Sequence, residues 1–75
     1  MERIEINPKI MHGKPVIKGT RVPVDVILGS LTSGMTYEEI EEEYNVKRED
    51  IIAAIRYAAE FVIGEQIHQL KRMRA

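Results

Sequence analysis

The side chains able to do chemistry in this chain are few and scattered. His12 and His68 are the only imidazoles, they stand far apart in the sequence, and there is no cysteine. A metal site or an imidazole-based acid–base pair needs partners at short, regular spacing, and none accompanies either histidine. His12 lies in the turn sequence His12-Gly13-Lys14-Pro15, where a polar side chain bonding to backbone is the simpler reading. His68 reads as a solvated helix flank. The acidic run Glu38, Glu39, Glu41, Glu42 and Glu43 is dense. Carboxylates at consecutive helical positions point in different directions, so the run reads as a solvated face rather than a cation cage. Asp25 has no acidic neighbour in sequence to form a general acid–base pair. Gly13-Lys14-Pro15 and Lys18-Gly19-Thr20 faintly echo a phosphate loop, but the four-residue spacing between a glycine and Gly-Lys is missing. The glycines more simply supply positive-φ turn positions. No enzyme, cofactor or metal is expected.

One segment is more specific. Thr36 to Ala59 reads Thr-Tyr-Glu-Glu-Ile, then Tyr44 and Val46, then a helix with apolar residues at Ile51, Ile52 and Ile55. A capped helix, a turn of three to four residues and a second helix packed across the first make a helix-turn-helix. Ile40, Tyr44, Val46, Ile51 and Ile55 would share its small core. Its second helix would present Lys47, Arg48 and Arg56 to DNA. Lys14, Lys18 and Arg21, displayed by turns, are further candidate DNA contacts. Glu49 and Asp50 in the same first turn, and the acidic helix before it, argue against phosphate contact. A tri-helical packing unit with no DNA role fits these residues equally well.

The elements that must position these groups follow from pattern. Residues 3–6 alternate charged and β-branched types and predict a short half-buried strand, stopped by Asn7-Pro8. Lys9-Ile10-Met11 reads as an extension or repeat of it. Val16-Ile17-Lys18 is a second strand, between turns at 12–15 and 19–21. A ribbon this short must lie on helices or pair with a second subunit. Pro23 suits the first turn of a helix over 23–33, ended by Ser33-Gly34. Thr36 and Glu39 form a capping box for a helix over 37–44. A third helix opens near Arg48 and runs to about Arg72, with Gly64 as its weak point. Its stripe of Ile51, Ile52, Ile55, Ala58, Ala59, Val62, Ile63, Ile67, Leu70 and Met73 follows helical spacing. The two short helices cannot cover all of it, so the face from Val62 onward calls for a partner. The expected fold is mainly α: a short N-terminal β ribbon and a three-helix, helix-turn-helix-like bundle with a long C-terminal helix. A single domain over 1–60, with its ribbon in 1–22, carries a helical extension over 61–75.

Composition narrows the class further. A 75-residue chain buries only about 60% of its unfolded surface, so stabilisation by oligomerisation is expected here, disulfides being excluded. No apolar run approaches the length of a membrane span and the first residues do not resemble a signal peptide, which predicts a cytoplasmic protein without membrane contact. The net charge of −1 hides a segregation. Residues 1–35 hold five basic groups against three acidic, residues 36–50 two against seven, and residues 51–75 four against two. Nucleic-acid affinity comes largely from phosphate neutralisation, and only local basic patches exist here to supply it.

The stretch Asn7-Pro8-x-Ile10-x-His12-Gly13-Lys14-Pro15-x-Ile17-x-Gly19-Thr20-Arg21-Val22-Pro23-Val24 resembles the signature of the prokaryotic domain-of-unknown-function family 433. Gly34, Thr36, Glu38, Glu39, Ile40, Tyr44, Glu49, Asp50, Ile51, Ala54, Ile55, Tyr57 and Ala58 continue that pattern. The resemblance covers about residues 4–60. Many relatives have cysteine where this chain has Val16, so no thiol role carries over. The resemblance implies a ribbon on a helix-turn-helix-like bundle and an antitoxin-like role, relatives being described as VapB-type antitoxins beside a PIN-like nuclease toxin. The function expected is therefore the antitoxin half of a toxin–antitoxin pair: a homodimer or higher oligomer that neutralises a PIN-like nuclease by binding and also binds its own operator DNA. Val62, Ile63, Ile67, Leu70, Lys71, Arg72 and Arg74 would meet the partner. The alternative is a dimeric interaction adaptor that never touches DNA.

Overall fold

A computed structural model describes residues 3–74, with side chains described for residues 3–64. The chain forms β1 (Ile4–Glu5), β2 (Val16–Ile17), α1 (Val24–Thr32), α2 (Tyr37–Tyr44) and α3 (Arg48–Arg74). A mainly helical fold with an N-terminal ribbon follows, as the residue pattern implies. β1 and β2 pair antiparallel, with Ile4 opposite Ile17 and Glu5 opposite Val16. Ile4 and Ile17 both enter the main core, so the ribbon is held to the helices by its side chains rather than by its short ladder. Between the strands the chain departs from the expected extension at Lys9-Ile10-Met11. Met11, His12 and Gly13 instead form one tight turn in which all three φ angles are positive, at 51°, 57° and 83°. Gly13 N–H donates to Ile10 O at 3.1 Å and Lys14 N–H to Met11 O at 3.1 Å, which closes the turn. Only the glycine is at ease there; methionine and histidine in this region carry steric strain.

The helices begin and end for local reasons. Pro23 precedes α1 in an extended conformation, and Val24 N–H donates to Pro15 O at 2.9 Å, anchoring the helix start to the loop before β2. Gly34, at φ +97°, turns the chain out of α1. At α2 the capping box is complete: Glu39 N–H donates to Thr36 Oγ1 at 3.1 Å, and Thr36 N–H donates to Glu39 Oε1 at 2.8 Å. Asn45 ends α2 in the left-handed region, one of the few non-glycine types that settle there. The third helix continues through Gly64 to Arg74 without a break.

The core is aliphatic. Ile27, Ile40, Ile51 and Ala54 are fully buried where the three helices meet, joined by Ile17, Val24, Val46 and Ala53. Tyr37, Tyr44 and Tyr57 pack half-buried around it, as does Ile55. Two polar groups are also buried, and both are satisfied. Ser30 donates to Val26 O at 2.9 Å and meets the Tyr44 hydroxyl at 3.1 Å, joining α1 to α2. Asp50 accepts from Arg3 and from the Lys47 backbone, as described below. No buried side-chain nitrogen or oxygen lacks a partner among the described residues. Among the described residues no helix is long and apolar enough to cross a membrane.

Candidate functional site

The helix-turn-helix is the region where charge, cap and exposed helix converge. Residues 45–47 make the three-residue turn between α2 and α3, with Val46 buried beneath it and Lys47 exposed above it. Asp50 reaches back to accept from Lys47 N–H at 2.9 Å, which satisfies one of the unpaired donors at the start of α3. Its other oxygen accepts from the Arg3 guanidinium at 3.0 Å, and Glu49 lies 3.9 Å from the same group. The strand end of β1 is thereby tied to the first turn of α3.

Arg48 is committed to α2. Its Nε donates to Glu41 at 3.0 Å and its Nη2 to Glu38 at 2.9 Å, while the guanidinium stacks over the Tyr37 ring at 4.8 Å. The hydrogen bond to Glu41 acts most strongly, opposed by desolvation and reinforced by the hydrogen bond to Glu38, and together they hold Arg48 more firmly protonated than usual. The Glu38 carboxyl is lowered below the usual carboxylate range, first by a backbone hydrogen bond near the α2 N-terminus and then by Arg48. The guanidinium that would have begun a DNA-reading helix is thus neutralised by the preceding helix. Sequence spacing placed Arg48 correctly at the start of α3; its fork to residues seven and ten positions back needed the turn geometry.

The remaining candidate cations are dispersed. Lys47 is exposed in the turn before α3 and Arg56 is exposed on α3, and neither makes an ion pair among the described residues. Lys14 pairs with Asp25 at 3.2 Å, and Lys18 and Arg21 are exposed on the turns around β2. On the acidic side, Met35, Glu39, Glu42 and Glu43 line a shallow hollow of about 320 Å³ beside α2. No cluster of three or more His, Asp or Glu side chains able to hold a metal occurs among the described residues. His12 is exposed in its strained turn and has no hydrogen-bond partner among the described residues.

The second feature is the far half of α3. Phe61, Val62 and Ile63 are 63%, 58% and 55% exposed, and Ile52 nearer the bundle is 39% exposed. Phe61 packs edge-on against Tyr57, with ring centroids 5.1 Å apart, and is otherwise open to solvent. Val62 and Ile63, expected from periodicity to need a partner, are exposed as that reading requires. Phe61 was missed because it continues the core side of the helix beyond the point where α1 and α2 end. The side chains of Ile67, Leu70, Lys71, Arg72 and Arg74 lie outside the described residues.

A short antiparallel ribbon on a helix-turn-helix-like bundle, with a helix projecting from it, defines the structural class. Residues 4–58 match the family model "Protein of unknown function (DUF433)", and the chain belongs to that family. It is similar in structure to a DUF433 member protein from Anabaena variabilis ATCC 29413, with a TM-score of 0.73 and 29% identity. That similarity covers 89% of this chain and 65% of the Anabaena chain, so this chain spans less than two thirds of its relative. A 25-residue stretch is 68% identical to an "Uncharacterized protein" of Archaeoglobus fulgidus, covering 33% of this chain and 69% of that one.

Proposed function

We propose that the chain is a protein-binding module, the antitoxin-like half of a pair, that acts by covering a PIN-like nuclease rather than by any chemistry of its own. The observation that carries this reading is the bare apolar surface of Phe61, Val62 and Ile63 on a helix extending past its own bundle. Phe61, Val62 and Ile63 point to different sides of the rod, and exposed aromatic and aliphatic side chains of this kind are the usual anchors of protein interfaces. The sequence adds Ile67 and Leu70 to that rod and ends it with Lys71, Arg72 and Arg74, cations suited to an acidic metal-binding nuclease centre. The test is to purify the chain with the product of its neighbouring gene and assay nuclease inhibition. Phe61→Glu should abolish inhibition while leaving the melting temperature within a few degrees. A neighbour that neither binds nor is inhibited refutes the reading.

Operator binding is the second reading, favoured by one observation: Lys47 in the turn and Arg56 on the second helix of a helix-turn-helix are both exposed. Against it, Arg48 is held by Glu38 and Glu41, and α2 presents further carboxylates beside the same helix start. Few cations would then reach phosphate, so the salt slope of any binding should be shallow, about 0.9 per contact. Lys47→Ala with Arg48→Ala should abolish operator binding and leave the partner complex intact. No binding by the wild type, alone or with its partner, leaves the adaptor role without DNA.

A further inference from the structure

The face of α3 turned away from the bundle carries a repeat of its own. Ile52, Arg56, Ala59 and Ile63 are all exposed and are spaced alternately four and three residues apart. Buried Asp50, Ile51, Ala53 and Ala54 occupy the other side of the same helix. The sequence continues the alternation at Gln66, Leu70 and Met73. A mostly apolar repeat of 3.5 residues on an unpartnered helix face is the pattern of a coiled-coil seam. From Ile52 to Leu70 it runs about 27 Å at 1.5 Å per residue.

Charge selects the occupant and its direction. Residues 36–50, in α2 and at the start of α3, carry seven carboxylates against two cations, an excess that remains after Asp50 pairs with Arg3 and Glu38 and Glu41 pair with Arg48, whereas the sequence places Lys71, Arg72 and Arg74 near the end of α3. A parallel pair of these helices would set the acidic ends together and the basic ends together. An antiparallel pair sets each basic end against an acidic one. We propose that two copies of this chain pair along α3 as an antiparallel coiled coil, with Ile52 opposite Leu70, Arg56 opposite Gln66 and Ala59 opposite Ile63 of the second copy.

This register satisfies both patterns at once. Every seam residue from Ile52 to Leu70 faces a seam residue, and small Ala59 beside large Ile63 lets the helices approach closely at the two-fold axis. The Arg56–Gln66 layer is polar and penalises slippage to registers that would bury Arg56 against aliphatic groups. Glu60 of each copy comes near the axis, with Arg56 four residues earlier on the same helix to offset it. The last turn, with Lys71, Arg72 and Arg74, falls level with residues 48–51 of the second copy, where the carboxylates crowd. Phe61 lies on the opposite side of α3 from the seam and stays available to a different protein, whereas Leu70, Lys71, Arg72 and Arg74 serve both partners, so nuclease binding and self-pairing compete for them. The pairing rests on α3 being a binding rod, as proposed above, but not on the nuclease.

The chain has no cysteine, so introduced thiols report alone. An equimolar mixture of Ile52→Cys and Leu70→Cys chains, treated with a short bis-maleimide, should give a cross-linked heterodimer, and Ile52→Cys alone should give none. Self-cross-linking of Ile52→Cys, or a wild type that sediments as a monomer at micromolar concentration, overturns the proposal. Ala59 is exposed in the single chain, so Ala59→Glu should keep full helicity and become monomeric. A dimer that survives Ala59→Glu also overturns it. Reversing Lys71, Arg72 and Arg74 to Glu should weaken the dimer at least tenfold at low salt, with the difference shrinking as salt screens the ends; an unchanged dimer there refutes the charge argument. Nuclease inhibition is not read in any of these experiments, so their failure is separate from a failure of the antitoxin reading.

Discussion

Replacing Asp50 with alanine removes one side chain that serves two elements. Its carboxylate accepts from Lys47 N–H at 2.9 Å at the start of α3 and from Arg3 at 3.0 Å just before β1. Losing an acceptor for a helix N-terminal donor costs about 1 kcal/mol, within a range of about 0.5–2. Losing a negative charge from the first turn costs a further ~0.3–1 kcal/mol. The Arg3 side chain is 44% exposed, so water replaces the lost partner and that contact contributes at most about 1 kcal/mol. Asp50 itself is 13% exposed, which places the total toward the upper part of the combined range, about 2–3 kcal/mol. In a domain of this size each kcal/mol moves the melting temperature by roughly 4–8 °C, so Asp50→Ala should melt about 8–24 °C lower. Far-UV circular dichroism across a thermal ramp reads it directly. Asp50→Asn, which keeps an acceptor but loses the charge, should fall between the two. Arg3→Ala should cost less than half as much as Asp50→Ala. An Asp50→Ala protein melting within a couple of degrees of wild type would refute the reasoning, and equal costs for Arg3→Ala and Asp50→Ala would move the energy from the cap to the ion pair.

Three other substitutions probe separate features. Gly19 sits at φ +81° with open space where a Cβ would go, so Gly19→Val should lose about 1–2 kcal/mol through backbone strain alone, read as a lower urea midpoint. Ile51 is fully buried in the core, and Ile51→Ala should lose about 2–5 kcal/mol through lost transfer energy and the cavity left behind. Arg48→Ala should raise the titration midpoint of Glu38, followed by carboxyl carbon NMR. Because the Glu38 pKa is lowered on folding, its favourable contribution is present above the unfolded pKa and disappears as pH falls through the folded value. In Arg48→Ala that acid dependence should be smaller, and an unmoved Glu38 midpoint would show the guanidinium contact to be absent in solution.

What the residues revealed in advance was whatever depends on near neighbours. The Thr36–Glu39 box, Ser33-Gly34 and the turn at Asn45 fix the helix boundaries through side chains and φ preferences within a few positions, so they were legible. The exposed stretch at Val62 and Ile63 was legible for a related reason: α1 and α2 are visibly too short to cover α3. The left-handed turn at Met11-His12-Gly13 was not, because only the glycine favours positive φ and the strand-like Lys9-Ile10-Met11 pointed elsewhere. The Arg3–Asp50 joint was also hidden, since it links residues 47 positions apart. Arg48 illustrates the difference between finding a residue and finding its use. Its place at a helix start was readable, but its neutralisation by Glu38 and Glu41 depends on how the turn at 45–47 aims one helix across the other.

The joint between β1 and α3 also sets an order of events during synthesis. β1 leaves the ribosome before the other elements of this fold, yet its ladder partner offers only two residue pairs and its arginine finds its carboxylate 47 residues later. The capped α2 and its turn into α3 draw on contacts close in sequence, which form fastest. The N-terminal ribbon is therefore made first and completed last, docking only after α3 has emerged to receive Ile4 and Arg3. Any fusion or tag placed ahead of residue 3 would sit on the slowest step of folding, and its effect should appear in the refolding rate before it appears in the final structure.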